Sequence, residues 1–270
     1  MKNQTVKPDK KTIRILVVED NLLNQKLAGF MLSDWGFKYD ILSNGKFAIE
    51  NLKFKTYDLI LLDIQMPELN GYETAQHIRK ILRLELPIIA MTAHAMPGEK
   101  EKCLSVGMTD YISKPINEPE LLNMLKNYLS PAIVNENMIN TSDSFKKVAN
   151  LDYLSGLSRG NAEFVNEMVG IFLLENPKEI ESLEKAIRGK NFYVIKQAAH
   201  FLLSSVPFVG LDIIIWNEVC EIEKIAEDEL LIQKNGIRTD DNLCFEKIEL
   251  LFSKIKESCE KACQELQKSS

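Results

Sequence analysis

Cysteines, histidines and long apolar runs are all scarce in this chain, and each scarcity excludes something. The five cysteines (Cys103, Cys220, Cys244, Cys259 and Cys263) are odd in number, and no two form a C-x-x-C pair. That argues against a disulfide framework or a cysteine-rich metal ribbon and for buried or incidental thiols in a reducing cytosol. No apolar stretch approaches the roughly 20 residues of a membrane span, and the polar start Met1-Lys2-Asn3-Gln4-Thr5-Val6-Lys7 lacks the apolar core of a signal peptide. The expectation is a cytoplasmic protein. A basic excess is also missing: the net charge of −6 speaks against a general nucleic-acid binder. Neither G-x-x-x-x-G-K-[ST] nor a convincing G-x-G-x-x-G occurs, so no glycine-rich phosphate loop is present. What remains, 45% hydrophobic and 27% charged over 270 residues, is the composition of a globular protein of about two domains.

The first half is built on apolar runs that end in polar residues of one kind. Ile13-Arg14-Ile15-Leu16-Val17-Val18 runs into Glu19-Asp20, and Tyr57-Asp58-Leu59-Ile60-Leu61-Leu62 stops at Asp63. Pro87-Ile88-Ile89-Ala90-Met91 ends at Thr92, and Asp110-Tyr111-Ile112-Ser113 at Lys114-Pro115. Such runs are the signature of buried parallel strands. The spacing predicts strands at 12–18, 39–43, 57–63, 87–92 and 110–113, with amphipathic helices at 22–35, 45–54, 71–84, 97–106 and 117–129. Five alternations at this spacing predict an α/β domain: a doubly wound, five-stranded parallel sheet with helices on both faces.

Residues 130–150 change character. Ser130-Pro131, Asn135-Glu136-Asn137 and Thr141-Ser142-Asp143-Ser144 are turn-rich and read as a linker. Beyond Leu151 helical spacing dominates: Phe164, Met168, Ile171 and Phe172; Ile180, Leu183 and Ile187; Phe192, Ile195, Ala199 and Leu202; Ile214, Val219, Ile222 and Ile225; Phe245, Ile248, Leu251, Phe252 and Ile255. With breaks at Asn176-Pro177, Gly189-Lys190-Asn191, Pro207 and Asn235-Gly236, residues 151–266 predict an all-α bundle of five helices.

Three carboxylates, a hydroxyl and an ammonium at the carboxyl edge of one sheet suit a divalent cation and a phosphoryl group. Neighbouring carboxylates repel unless a cation sits among them, and Mg²⁺ takes a few such oxygens together with water and phosphate. Asp20 and Asp63 are the expected direct ligands, with the main-chain carbonyl of Gln65 as a third and Glu19 acting through water. An aspartate can be the nucleophile toward phosphorus. Lys114 would then pair with one equatorial oxygen and Thr92 would donate to another. A dehalogenase-type phosphatase would need a second aspartate two residues after the nucleophile, where Gln65 stands.

In order and spacing, V-V-E-D-N at 17–21, L-L-D-I-Q-M-P-E-L-N-G at 61–71, A-M-T-A at 90–93 and Y-I-S-K-P at 111–115 resemble the receiver domain of two-component response regulators, over residues 11–129. The resemblance implies a flavodoxin-like fold and Mg²⁺. It makes Asp63 the phosphorylated residue, Glu19 and Asp20 the acidic pair, Thr92 and Tyr111 the hydroxyl–aromatic switch, and Lys114 the phosphoryl-contacting lysine. Asn21 and Asn24 are more like the receivers of phosphorelays and hybrid kinases. A receiver catalyses its own phosphorylation and slow dephosphorylation, which makes it only marginally an enzyme.

His77 reads as a helix-surface residue and His94 as a loop residue near the cleft. His200 differs by context. With Val194, Ile195, Ala198, Ala199, Leu202 and Ser205 as the buried stripe, it shares the opposite face with Lys196, Gln197 and Ser204 and is expected to be exposed. F-V-N-E-M-V-G-I-F at 164–172, A-A-H-F-L-L-S-S at 198–205 and Gly210 resemble a histidine-containing phosphotransfer (HPt) domain, with His200 as the phosphorylated histidine. Two positions depart from that family: Leu203 stands where it has lysine, and Ser204 where it has glycine. Lys196, one turn earlier, would supply the missing charge.

These resemblances imply a phosphorelay intermediate in signal transduction. A sensor histidine kinase would phosphorylate Asp63, and the group would pass to or from His200 and a downstream receiver protein. The acidic balance and the lack of an apolar span predict neither nucleic-acid binding nor membrane insertion, and the receiver resemblance implies a domain that could dimerise through its last strands and helices. Two other readings stand beside this one: a phosphorylation-switched, non-catalytic adaptor whose helical domain docks receivers, and a detached C-terminal part of a hybrid kinase.

Overall fold

The computed structural model describes residues 13–92, 98–129, 148–235 and 241–269. The expected residue His94 and most of the expected linker at 130–150 lie outside these. The chain divides into two compact units, Met1–Ile139 and Asn140–Ser270.

The first unit carries five strands, β1 (Arg14–Val18), β2 (Lys38–Leu42), β3 (Leu59–Asp63), β4 (Ile88–Thr92) and β5 (Asp110–Ser113). All pair in parallel, in the order β2-β1-β3-β4-β5. The helices α1 (Leu22–Asp34), α2 (Gly45–Leu52), α3 (Gly71–Lys80), α4 (Glu99–Ser105) and α5 (Glu118–Leu129) alternate with them. Every residue of β3 and β4 is buried, because helices cover both faces of the sheet. Each buried Leu or Ile side chain there contributes about 1.5–3 kcal/mol.

Asparagine starts α1, α2 and α3. Asn21 Oδ1 accepts from the Leu23 and Asn24 amides at the head of α1, and Asn44 Oδ1 from Phe47 at the head of α2. Asn70 forms a reciprocal capping box with Glu73 on α3. Each cap occupies an amide that the first helical turn would otherwise leave unpaired. Asn70 also delivers the chain to Gly71, where a Cβ would lie 2.3 Å from the Asp63 carbonyl oxygen. Only glycine permits that approach.

The register aligns the functional ends. Val18 stands opposite Leu62, Asp63 opposite Met91 and Thr92 opposite Ser113. Glu19, Asp63, Thr92 and Lys114 therefore emerge along one carboxyl edge. The chain winds outward from β1 to β2 and returns to β3 on the other side, so this edge holds the switch point where open α/β sheets bind ligands.

The second unit is helical: α6 (Asp152–Ser158), α7 (Ala162–Arg188), α8 (Phe192–Ser205), a 3-10 turn (Val206–Val209), α9 (Asp212–Lys234) and α10 (Asp241–Ser269). Long helices α7 and α9 each pack on both α8 and α10, closing a four-helix ring, while short α6 packs beside the 3-10 turn. The break expected at Asn176-Pro177 is absent: Pro177 lies inside the 27-residue α7. The ring's missing amide costs that helix one backbone bond, and packing against α8 and α10 outweighs it. Phe192–Val209 is apolar over 18 residues, and 72% of it is buried inside the bundle, which marks it as core. After the 3-10 turn the chain reverses at Gly210, at φ +71, where a Cβ would lie 2.7 Å from Asn150 Cβ.

Candidate functional site

Strand ends and the loops beyond them gather the receiver-like site. One carboxylate oxygen from each of Glu19, Asp20 and Asp63 lies within 4.8 Å of the others. Lys114, carried past the end of β5, donates to Asp63 Oδ2 at 2.6 Å and pairs with Glu19 Oε2 at 2.7 Å. Glu19, Asp63 and Lys114 are all buried. Lys114 is held at the edge through its own backbone, whose amide donates to the Thr92 carbonyl at 2.6 Å. Thr92 is buried at the end of β4, and the Gln65 amide donates to Asp63 Oδ1 at 3.2 Å.

Among the described residues, three carboxylates share one ammonium in this cleft. Burial and then the Glu19 charge push Asp20 up to about 7 and hold Asp63 well above the usual carboxylate range, with Lys114 working the other way. At Lys114 burial opposes the charge, but Asp63 and Glu19 outweigh it and raise the ammonium above its ordinary value. A hard divalent cation fits this donor set: it would relieve the repulsion that burial enforces.

Glu19 is more tightly held than its neighbours. Besides Lys114, its Oε1 accepts from the Asn21 amide at 3.2 Å and from Asn24 Nδ2 at 3.0 Å. Residue 24 was legible only as a family resemblance; its physical task is to orient this carboxylate.

Tyr111 lies two residues short of the edge, beside Ala90 in register, half-buried, with Lys100 Nζ 5.9 Å from its ring centroid. His77 is half-buried on α3.

In the helical unit the expected exposed imidazole is corrected. His200 is 5% exposed and sits between α8 and α9, its Nδ1 3.2 Å from Glu223 Oε1. Leu203 and Ser204 are also buried, whereas Val194, assigned to the buried stripe, is exposed. The reason is that α8 is flanked by both α7 and α9, so its covered surface is wider than one stripe. The supporting residues have other partners. Lys196 pairs with Glu227 at 2.8 Å, Gln197 Nε2 donates to Tyr193 Oη at 3.1 Å, and Ser204 Oγ donates to the His200 carbonyl at 3.3 Å. Glu223 is the residue that sequence reasoning missed. Its only signal was a glutamate on the apolar stripe of α9, next to Ile222.

Residues 15–126 match the response regulator receiver domain family. This segment is a response regulator receiver domain. Over 214 residues the chain is 33% identical to the signal transduction histidine-protein kinase BarA of Escherichia coli, covering 75% of this chain and 23% of BarA. It is 27% identical over 239 residues to the sensor protein GacS of Pseudomonas syringae pv. syringae, covering 85% of this chain and 26% of GacS. Both alignments are longer than the receiver and so reach into the helical unit, while the chain spans about a quarter of these relatives. Among solved structures, the receiver domain of the sensor histidine kinase PA1611 of Pseudomonas aeruginosa is 38% identical, with TM-score 0.40, covering 43% of this chain and 97% of that one; it holds a magnesium ion in its active-site cleft.

Proposed function

We propose that this chain is a phosphorelay intermediate, in which the receiver's Asp63 exchanges a phosphoryl group with a sensor histidine kinase and His200 exchanges it with a receiver. The observation that carries the reading is the Glu19–Asp20–Asp63 cluster bridged by buried Lys114 at the carboxyl edge of the sheet. The BarA alignment, which continues past the receiver, supports a joint role for the two units.

In the first step an Asp63 oxygen attacks the phosphorus of a phosphohistidine. The N–P bond breaks, and its electron pair returns to the donor imidazole. Lys114, released from one carboxylate, pairs with an oxygen of the new acyl phosphate, and Thr92 donates to another. Tyr111 then moves toward the space that Thr92 leaves, a local change that alters the binding surface. Asp20, Asp63 and the Gln65 carbonyl would hold Mg²⁺, with Glu19 behind them. Bound there, the ion supplies positive charge to offset that of the phosphoryl oxygens.

A second reading, the non-catalytic adaptor, is favoured by one observation: His200 is buried and Leu203 occupies the position of the family lysine. A phosphotransfer time course from a phosphorylated kinase with Mg²⁺ separates the two, comparing wild type, Asp63→Ala and His200→Ala for acid-labile and base-labile label. Acid-labile label that requires both residues supports the relay. Label confined to Asp63 and unchanged in His200→Ala leaves the adaptor.

A further inference from the structure

The head of α1 carries three amide side chains, Asn21, Asn24 and Gln25, at a spacing that puts them on one helical face. Asn21 caps the helix, and Asn24 Nδ2 donates to the Glu19 side chain at Oε1. Gln25 has a different target: its Nε2 donates to the main-chain carbonyl of Glu19 at 2.6 Å. Only the NH2 end of that amide can face a carbonyl oxygen. The Gln25 amide donates in turn to the Asn21 carbonyl at 3.0 Å, which fixes the base of the side chain.

The peptide from Glu19 to Asp20 is one rigid plane. It holds the clamped carbonyl at one end and the Asp20 amide at the other, so its tilt sets the direction in which the Asp20 side chain leaves. The peptide before it is tied by the Glu19 amide, which donates to the Leu42 carbonyl at 3.0 Å. The Glu19 side chain is held by Asn24 and Lys114. Asp20 is half-buried and supplies one of the three carboxylate oxygens that lie within 4.8 Å of one another.

We infer that Gln25 is a positioning residue for the divalent cation: by clamping the Glu19 carbonyl it aims the Asp20 carboxylate at the Asp63 side of the cleft. The inference rests on the reading of this cleft as a Mg²⁺-dependent phosphoryl acceptor. Turning the peptide plane moves the Asp20 oxygens, and Mg²⁺, which demands near-ideal octahedral geometry, tolerates such movement poorly. Asp63 ends β3, and Lys114 follows β5. Loss of the clamp therefore falls on cation binding rather than on the nucleophile or the ammonium.

The test titrates MgCl2 calorimetrically into the full chain, as wild type and two variants. Gln25→Met keeps the length of the side chain without its N–H, and is expected to weaken Mg²⁺ binding about tenfold. Gln25→Glu keeps the shape, replaces the donor with an acceptor and adds a negative charge. A charge effect alone would tighten Mg²⁺, whereas loss of the clamp weakens it about tenfold or more. A time course with phosphoramidate as donor, read as base-labile label on Asp63, splits affinity from rate. In Gln25→Met the Mg²⁺ concentration for half-maximal rate should rise about tenfold, with the rate at saturating Mg²⁺ within about twofold of wild type. A merely structural role would lower the resistance to denaturant and leave that concentration unmoved. Wild-type affinity in folded Gln25→Met, or tighter binding in Gln25→Glu, overturns the inference. A wild type that binds no Mg²⁺ overturns the reading of the cleft, and the inference with it.

Discussion

The Lys114 ammonium lies 2.6 Å from Asp63 Oδ2, and both side chains are buried. A buried pair is a weak source of net stability, but removing one partner leaves the other charge without compensation. Lys114→Met should therefore destabilise the receiver by about 3–5 kcal/mol at neutral pH. Denaturant titrations with and without Mg²⁺ check this: the loss should shrink with saturating Mg²⁺, because the ion replaces the missing positive charge. An equal loss under both conditions would refute the electrostatic account.

Asn24→Ala cuts the 3.0 Å bond to Glu19 Oε1 without removing a charged side chain. Leaving that buried acceptor short of a donor should cost about 1–2 kcal/mol. The loosened carboxylate should also weaken Mg²⁺ binding roughly tenfold. Fluorescence or calorimetric titration of Mg²⁺ measures the second effect, and unaltered affinity would assign Asn24 to folding alone.

Glu179 makes the helical unit sensitive to pH. It is buried on α7 and accepts a hydrogen bond from Ser205 Oγ at 2.7 Å. Burial raises its carboxyl from 4.5 to about 7, against the pull of Ser205. A raised carboxyl binds its proton more tightly when folded, so its contribution is fully present below about pH 4.5 and is lost as pH rises through 7. The difference is about 3 kcal/mol across that window. Denaturation of wild type and Glu179→Gln at pH 5 and pH 8 isolates it. Wild type should lose more stability than the variant on going to pH 8, and parallel losses would contradict the assignment.

Gly210→Ala should destabilise the bundle by about 2 kcal/mol, through left-handed backbone strain and the approach of the added methyl to Asn150 at 2.7 Å. Gly160, also at positive φ, has nothing within 4 Å of its would-be Cβ, so Gly160→Ala should show the strain alone. Thermal melts of the two variants separate strain from clash.

The sheet and its functional edge were legible because the code for them is local. β1, β3 and β4 are unbroken apolar runs, and each run announces its end with Glu19, Asp63 or Thr92. The helical unit was less legible for two physical reasons. A single proline cannot show whether tertiary packing will override it, so Pro177 marked a break that α7 spans. His200 and Glu223 lie 23 positions apart, and nothing in the period of either helix encodes a pairing between them. The face of α8 was judged from its apolar residues, and its polar ones were buried too, because two neighbouring helices share the cover.

The parallel register has a consequence for where this receiver can change length. Opposite Met91, Asp63 is the last residue of a strand whose side chains alternate between the two faces of the sheet. One residue inserted or deleted within Leu59–Asp63 would send every later side chain of that strand to the other face. The carboxylate would then point away from Lys114. The turns at the opposite edge of the sheet, such as those preceding Leu59 and Ile88, carry none of these site residues. Length variation should therefore collect at that amino edge, while the carboxyl edge keeps its count.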